Sequence, residues 1–252
     1  MNNSTSTTSA AWPTHWPANS FRWGPTALLV LAAIAVAVVG FIIIGVYGYL
    51  HGAALRSNGP AFVFFAVVAQ LLVEGVAVLV ILAALPSVSK FSLRELGFYA
   101  PRLWQIGVAL LGAIAMVIVV EGGASLIETL THQKHEQTVV ELFRHVVGTN
   151  AMWFFAIFAI VLAPMMEEII FRIFVFNIGL RYGGFWVGAI VSGICFGAAH
   201  TDLVVLVPLA LGGMILCTVY YRTRNAFASM ITHGCFNAVT VFALMYAPNL
   251  TK

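Results

Sequence analysis

Charged residues are scarce in this sequence: Asp, Glu, Lys and Arg make up 8% of the 252 residues, while 61% are hydrophobic. Soluble domains carry about 25% charged residues. A chain this poor in charge cannot cover a water-facing surface, and the same composition excludes disorder, which needs polar, charge-rich sequence. The basic residues are scattered. With 12 Lys+Arg against 9 Asp+Glu there is no basic run to track a phosphate backbone, so nucleic acid is not an expected partner. Cysteine is nearly missing. Cys195, Cys217 and Cys235 are odd in number and lack C-x-x-C spacing, which excludes a disulfide framework and a thiolate metal site; they are expected as small buried hydrophobes. The N-terminus lacks the basic segment and short apolar core of a cleaved signal peptide.

What is present is a succession of apolar runs. A membrane-spanning helix needs roughly 20 apolar residues, and seven candidates follow one another: Thr26–Leu50, Ala61–Leu85, Leu103–Leu130, Ala151–Leu180, Phe185–His200, Leu203–Tyr221 and Phe227–Tyr246. None alternates as a barrel strand would, and lipid leaves a lone strand's backbone unsatisfied. The expected fold is therefore all-α: a polytopic integral membrane helical bundle of about seven transmembrane helices. A Trp-bearing polar tail, 1–24, precedes it, and 25–149 holds the first spans and a polar loop. The positive-inside rule sets orientation. Arg22, Lys90, Arg94, Arg102, Arg181, Arg222 and Arg224 outnumber Arg56, Lys134, Arg144 and Lys252 on the other side, which places the N-terminus in the cytoplasm.

The loop Thr131–Asn150 contains His132, His135, Glu136, Glu141 and His145. His135–Glu136 begins like the zinc-protease H-E-x-x-H helix, but Val139 stands where the second histidine belongs, and the motif fails. A polar loop or interfacial helix accounts for this stretch.

Polar residues inside the spans need a reason. An ionised side chain at the bilayer centre costs about 2.5–3.5 kcal/mol, so Glu167, Glu168 and Arg172 on one span would cost on the order of 8 kcal/mol if all were charged and unpaired. Glu168 and Arg172 are four apart, in the favourable order for an ion pair. Glu167 lies about 100° around the helix and is left without a local partner. His200 ends the fifth span, one turn after Phe196, and His233 and Asn237 share a face of the seventh. Counted along the helices from their cytoplasmic ends, Glu167, His200 and Asn237 fall roughly 16–23 Å deep and His233 about 10 Å. A carboxylate base, two imidazoles and an amide donor form a hydrolytic inventory. Gly193 and Gly197 form a G-x-x-x-G that lets a neighbouring helix come close.

These residues also carry a resemblance. Glu167-Glu168-Ile169-Ile170-Phe171-Arg172 reads E-E-x-x-x-R, Phe196 to His200 reads F-x-x-x-H, and His233 to Asn237 reads H-x-x-x-N. In order and in apolar context they resemble the three motifs of the CPBP family (CAAX proteases and bacteriocin-processing enzymes, also called Abi). The resemblance implies an intramembrane endopeptidase with its catalytic helical core at 150–247, followed by a short tail, 248–252. Carried over, Glu167 and His200 would activate water, and His233 and Asn237 would bind the oxyanion or hold the site. Glu168, Arg172 and Phe196 would support it. It leaves open whether zinc is a cofactor, held by Glu167, His200 and His233, or none is used. The implied partners are the lipid bilayer and a membrane-associated peptide or protein substrate, of the prenylated CAAX or leader-peptide kind. The implied setting is the plasma membrane of a prokaryote. Two other readings compete: a non-catalytic immunity or assembly factor on the same scaffold, and an ion-coupled carrier using Glu74, Glu121 and Glu128.

Overall fold

A computed structural model describes residues 59–88, 92–132, 146–200 and 204–246, with isolated positions between 24 and 47 and Phe143. Apart from those isolated positions, the polar tail, the run Thr26–Leu50, most of the histidine-bearing loop and the C-terminal tail lie outside the described residues. The described elements are helical, as apolar runs must be where no water can serve the backbone. They are α1 (Gly59–Val88) and α2 (Leu103–Thr131), then α3 (Ala151–Ile157), the π-helical segment π1 (Phe158–Leu162), α4 (Ala163–Glu168), π2 (Ile169–Phe176) and α5 (Asn177–Ala199), and finally α6 (Leu206–Thr223) and α7 (Ala226–Tyr246).

Five stretches among the described residues are long and apolar enough to cross a membrane: Ala61–Leu85, Leu103–Thr131, Ala151–Ala199, Leu206–Thr223 and Ala226–Tyr246. The expected count of about seven is not reached, for two reasons. Thr26–Leu50 is outside the described residues, and the runs Ala151–Leu180 and Phe185–His200 are joined in one helical stretch. That stretch is interrupted at Gly184, whose φ of 75° and ψ of −175° are non-helical and belong to glycine. The chain doubles back there. A Cβ on Gly179 would lie 2.6 Å from the Cα of Gly188, and the Phe171 and Phe196 rings meet edge to face across the two arms at 5.5 Å.

The bundle is apolar on its outer face and buries polar and charged groups among apolar core clusters. Glu168, Arg172, Asn177 and Ser192 are fully buried, while Leu111 and Ile118 are 68% and 67% exposed. This arrangement suits a lipid surround, in which exposed apolar side chains cost nothing. It also explains the cysteines. Only Cys217 is buried; Cys195 is exposed and Cys235 half-buried, because an outward-facing thiol in lipid gains little from burial.

Helix α5 packs along α6, and α2 lies against α6 and α7. Gly193 and Gly197 sit in the α5–α6 seam: a Cβ on either would fall 2.5 Å from a backbone oxygen, Ala210 O or Leu206 O respectively. Gly197→Ala must push the helices apart, and is expected to destabilise the protein by about 1–3 kcal/mol, read as a lowered thermal midpoint in detergent. Gly107→Ala, on α2 with open space around it, should instead leave stability unchanged or raise it by about 0.5–1 kcal/mol. Equal effects at both positions would show that helix propensity, not the seam, governs.

Candidate active site

The wide turns on either side of the paired glutamates flank a proline, Pro164. In π1 the helix bonds run from residue i to i−5, and the Ala163 N–H reaches Phe158 O. The next donor in that register would be Pro164, which has no N–H. Its acceptor, Ala159 O, takes a bond of 2.7 Å from the side-chain amide of Asn237 on α7 instead. A buried carbonyl orphaned by proline is thus satisfied from another helix. In π2 the Ser192 hydroxyl donates to Phe171 O at 2.8 Å. The Asn177 amide donates to Arg172 O and Ile173 O at 3.1 and 3.0 Å. Asn177 also bonds Tyr220 Oη, whose hydroxyl donates to Leu96 O at 3.1 Å. These supports hold α4, a short α-helical segment bearing Glu167 and Glu168, between two wide turns.

The Glu168–Arg172 ion pair expected from spacing forms, at 3.2 Å and out of solvent. The second Glu168 oxygen is 3.1 Å from His233 Nδ1. A carboxylate paired with a guanidinium only accepts, so Nδ1 carries the hydrogen and the ring's Nε2 turns toward Glu167. The gap from Nε2 to Glu167 Oε2 is 3.8 Å, beyond hydrogen-bond length. Glu167 is 8% exposed, and its Oε2 is buried without a hydrogen-bond partner among the described residues. Formal charges on Glu167, Glu168 and Arg172 leave one negative charge over, which a His233 imidazolium would balance.

Phe196 links this cluster to His200. The Arg172 guanidinium stacks over its ring at 4.7 Å, within cation–π range. The His200 and His233 rings approach it at 4.8 and 5.4 Å. His200 is half-buried, and its Nδ1 is 2.8 Å from Phe196 O. A carbonyl accepts, so Nδ1 donates and Nε2 is the acceptor of the neutral ring.

The structure therefore gathers Glu167, Glu168, Arg172 and His233 directly and joins His200 through Phe196. Asn237 is turned to Ala159 O. Sequence reasoning missed the scaffold of Pro164, Asn177 and Ser192, although a proline three residues before an acidic pair in an apolar run was a readable signal. Of the acids in earlier spans, Glu74 comes near: α1 packs on α4, and the Glu74 and Glu167 carboxylates are within electrostatic reach. Gln70 donates to Glu74 Oε1 at 3.0 Å, and Glu74 Oε2 is buried without a hydrogen-bond partner among the described residues. Glu121 stays exposed on α2.

For zinc, three convergent protein ligands are the usual minimum. No group of three His, Cys, Asp or Glu side chains with metal-binding geometry occurs among the described residues. Glu168 and Phe196 O hold the two imidazoles by their Nδ1 atoms, which leaves both Nε2 atoms available, as a metal-ligating histidine also requires.

Removal of the Asn237 amide separates its structural bond from a chemical one. Asn237→Leu should cost about 1–3 kcal/mol, the price of an unsatisfied buried carbonyl, measured by thermal unfolding in detergent. Unchanged stability would mean that Ala159 O finds another donor.

Residues 149–239 match the family model described as Type II CAAX prenyl endopeptidase Rce1-like. The chain is also similar to the Bacillus subtilis (strain 168) protein named "Putative membrane peptidase YdiL", with 28% identity over 81 residues. That match spans 32% of this chain and 33% of the relative, so only about a third of the curated relative's length is covered. No solved structure matches the chain. The matched stretch contains π1, α4, π2, α5, α6 and most of α7, with every residue of the three motifs. The same stretch holds the E-E-x-x-x-R, F-x-x-x-H and H-x-x-x-N motifs by which the chain resembles the CPBP family.

Proposed function

We propose that the protein is an intramembrane endopeptidase that hydrolyses a peptide bond in a membrane-associated substrate, with 150–247 as its catalytic core. One observation carries this reading. Glu167 presents a buried carboxylate oxygen without a hydrogen-bond partner, facing an imidazole at 3.8 Å, on a segment whose other charged groups are paired. Holding such an oxygen away from water costs several kcal/mol, a cost that a base accounts for and a structural role does not.

In the proposed reaction Glu167 accepts a proton from water, with the acceptor Nε2 of His200 helping to orient that water. The water oxygen bonds to the substrate carbonyl carbon, and the carbonyl electron pair moves to oxygen. The oxyanion collapses, the C–N bond breaks, and the departing amine takes the proton from Glu167. A carboxylic acid and an amine result, with no other reactant. His233 donates its Nδ1 hydrogen to Glu168, so it can stabilise the oxyanion only as an imidazolium, through Nε2–H. Asn237 holds π1 in place, and Glu168, Arg172 and Phe196 position the histidines.

The prenylated C-terminal peptide implied by the family description and the leader peptide of a secreted peptide are the two substrate classes in view. Both present an apolar anchor and an accessible bond. In this reading the excess of basic residues assigns the N-terminus and the connections that hold Arg94, Arg102, Arg181, Arg222 and Arg224 to the cytoplasmic side. The test compares membrane-peptide profiles of cells carrying the intact protein and the Glu167→Gln variant. An uncleaved peptide should accumulate only with the variant. Identical profiles, with any cellular phenotype fully rescued by the variant, would replace this reading with that of a non-catalytic factor.

A further inference from the structure

At the bundle end opposite the C-termini of α2 and α5, a cavity of about 680 Å³ opens between the 92–102 loop and the α6–α7 turn. Arg94, Arg102, Arg222 and Arg224 line it with Tyr99 and Trp104, and no acidic residue is among its lining residues. Glu95, the nearest acid in sequence, is occupied by the backbone N–H and hydroxyl of Ser92, both at 2.8 Å.

The four arginines come from segments more than a hundred residues apart, and the frame that joins them is built. Buried Gln105 donates to Thr223 O at 2.8 Å and to Tyr99 Oη at 3.2 Å. The Asn225 amide donates to Tyr99 O at 2.7 Å, and the Ala226 N–H bonds Gly97 O at 3.0 Å. Gly97 has a φ of 98°, and a Cβ there would lie 2.8 Å from Ala226 N, so the loop and the turn interlock as closely as backbones can. The frame fixes the backbone from which the four exposed arginines surround one opening, and their summed positive field there favours an anion.

We infer that this cavity is a binding site for the phosphate-bearing headgroup of an anionic phospholipid. Arginine forks suit phosphate oxygens, which they bond two at a time. The location selects the lipid over a soluble phosphate. The cavity sits where α2 begins, and Leu103 and Trp104 stand 87% and 53% exposed beside it, an apolar and amphipathic pair at headgroup depth. A headgroup bound among the arginines would leave its acyl chains along the outer face of α2. The site lies outside the glutamate–histidine cluster and does not depend on peptidase activity.

The test uses the full chain, reconstituted in phosphatidylcholine vesicles containing a minor fraction of phosphatidylglycerol. Lipid retained on the protein is read by native mass spectrometry. Wild type should retain phosphatidylglycerol in preference to phosphatidylcholine. Arg94→Gln/Arg222→Gln should lose about fivefold of that preference per arginine, the factor equivalent to about 1 kcal/mol for each cation at an anionic surface. Arg222→Lys, which keeps the charge without the fork, should fall between, and Arg181→Gln, on the same side but away from the cavity, should match wild type. Thermal unfolding in phosphatidylcholine alone checks that each variant is folded; should the double variant fail to fold, Arg222→Lys and Arg222→Gln carry the comparison. Equal retention of the two lipids by wild type, or undiminished preference in the arginine variants, would overturn the site. Displacement of phosphatidylglycerol by millimolar inorganic phosphate, with equal stabilisation by phosphate alone, would overturn the lipid as its occupant.

Discussion

Glu167→Gln is expected to lower kcat/KM for a membrane-embedded peptide by about 10²–10⁴-fold, the range that a positioned general base supplies, without weakening the fold. The two halves of this expectation rest on the same oxygen. Glutamine keeps the shape of the side chain but cannot take a proton from water. Glu167 Oε2 has no hydrogen-bond partner to lose, and its ion-pair neighbour His233 stands at 3.8 Å and is already bonded to Glu168. Removing a buried charge that contributes no close pairing should leave the thermal midpoint level or raise it. Falling activity with steady or rising stability is the signature of a group kept for chemistry at a cost in stability. Kinetics and thermal unfolding on the same purified variant check it. Wild-type turnover would remove Glu167 from the reaction, and a large loss of stability would recast it as a structural carboxylate.

Much of the site is legible in the sequence because lipid makes polar residues expensive. Glu167, Glu168, Arg172, His200 and His233 are conspicuous where their neighbours are apolar, and the four-residue spacing of Glu168 and Arg172 suffices to predict their pair. Depth is less legible. Counting along ideal helices sets His233 well above Glu167, yet the structure brings its ring to both glutamates. The eight residues of π2 lie between Glu167 and the counted end, and wide turns advance less per residue than α turns.

Asn237 illustrates a second limit. Its place in H-x-x-x-N marks it as important, but its bond to Ala159 O follows from a missing N–H at Pro164 and from the i−5 register of π1, which no apolar periodicity encodes. The joining of two expected runs into one helical stretch has a related cause, since a single glycine at 184 lets the stretch reverse within the length of a turn. Glu74 is visible as a costly acid in the second span, but its proximity to Glu167 is a product of how α1 packs on α4. Local chemistry is written in the residues; which helix meets which is settled by packing.

The largest stability effect is expected at the Glu168–Arg172 pair. Glu168 and Arg172 are fully buried and ion-paired at 3.2 Å, and removing one member of such a pair strands the other, at a cost of about 3–5 kcal/mol. Arg172→Met should be the more damaging, because it leaves two adjacent carboxylates with only His233 to offset them and takes the stacked guanidinium off Phe196. Glu168→Gln should be milder: its amide can still accept from His233 Nδ1, while Arg172 keeps its bond to Gly213 O and its aromatic stack. The double variant Glu168→Leu/Arg172→Met removes both charges together, and should recover a substantial part of the stability lost in either one-sided leucine or methionine replacement. Such non-additivity is the mark of a direct interaction. Activity will not recover with it, because His233 then has no carboxylate to hold its Nδ1–H and no fixed direction for Nε2. Thermal unfolding of the four proteins gives the coupling, and peptide cleavage gives the second half of the claim. Additive losses would mean that the two side chains are stabilised by separate surroundings. A double variant that cleaves normally would mean that His233 needs no anchor.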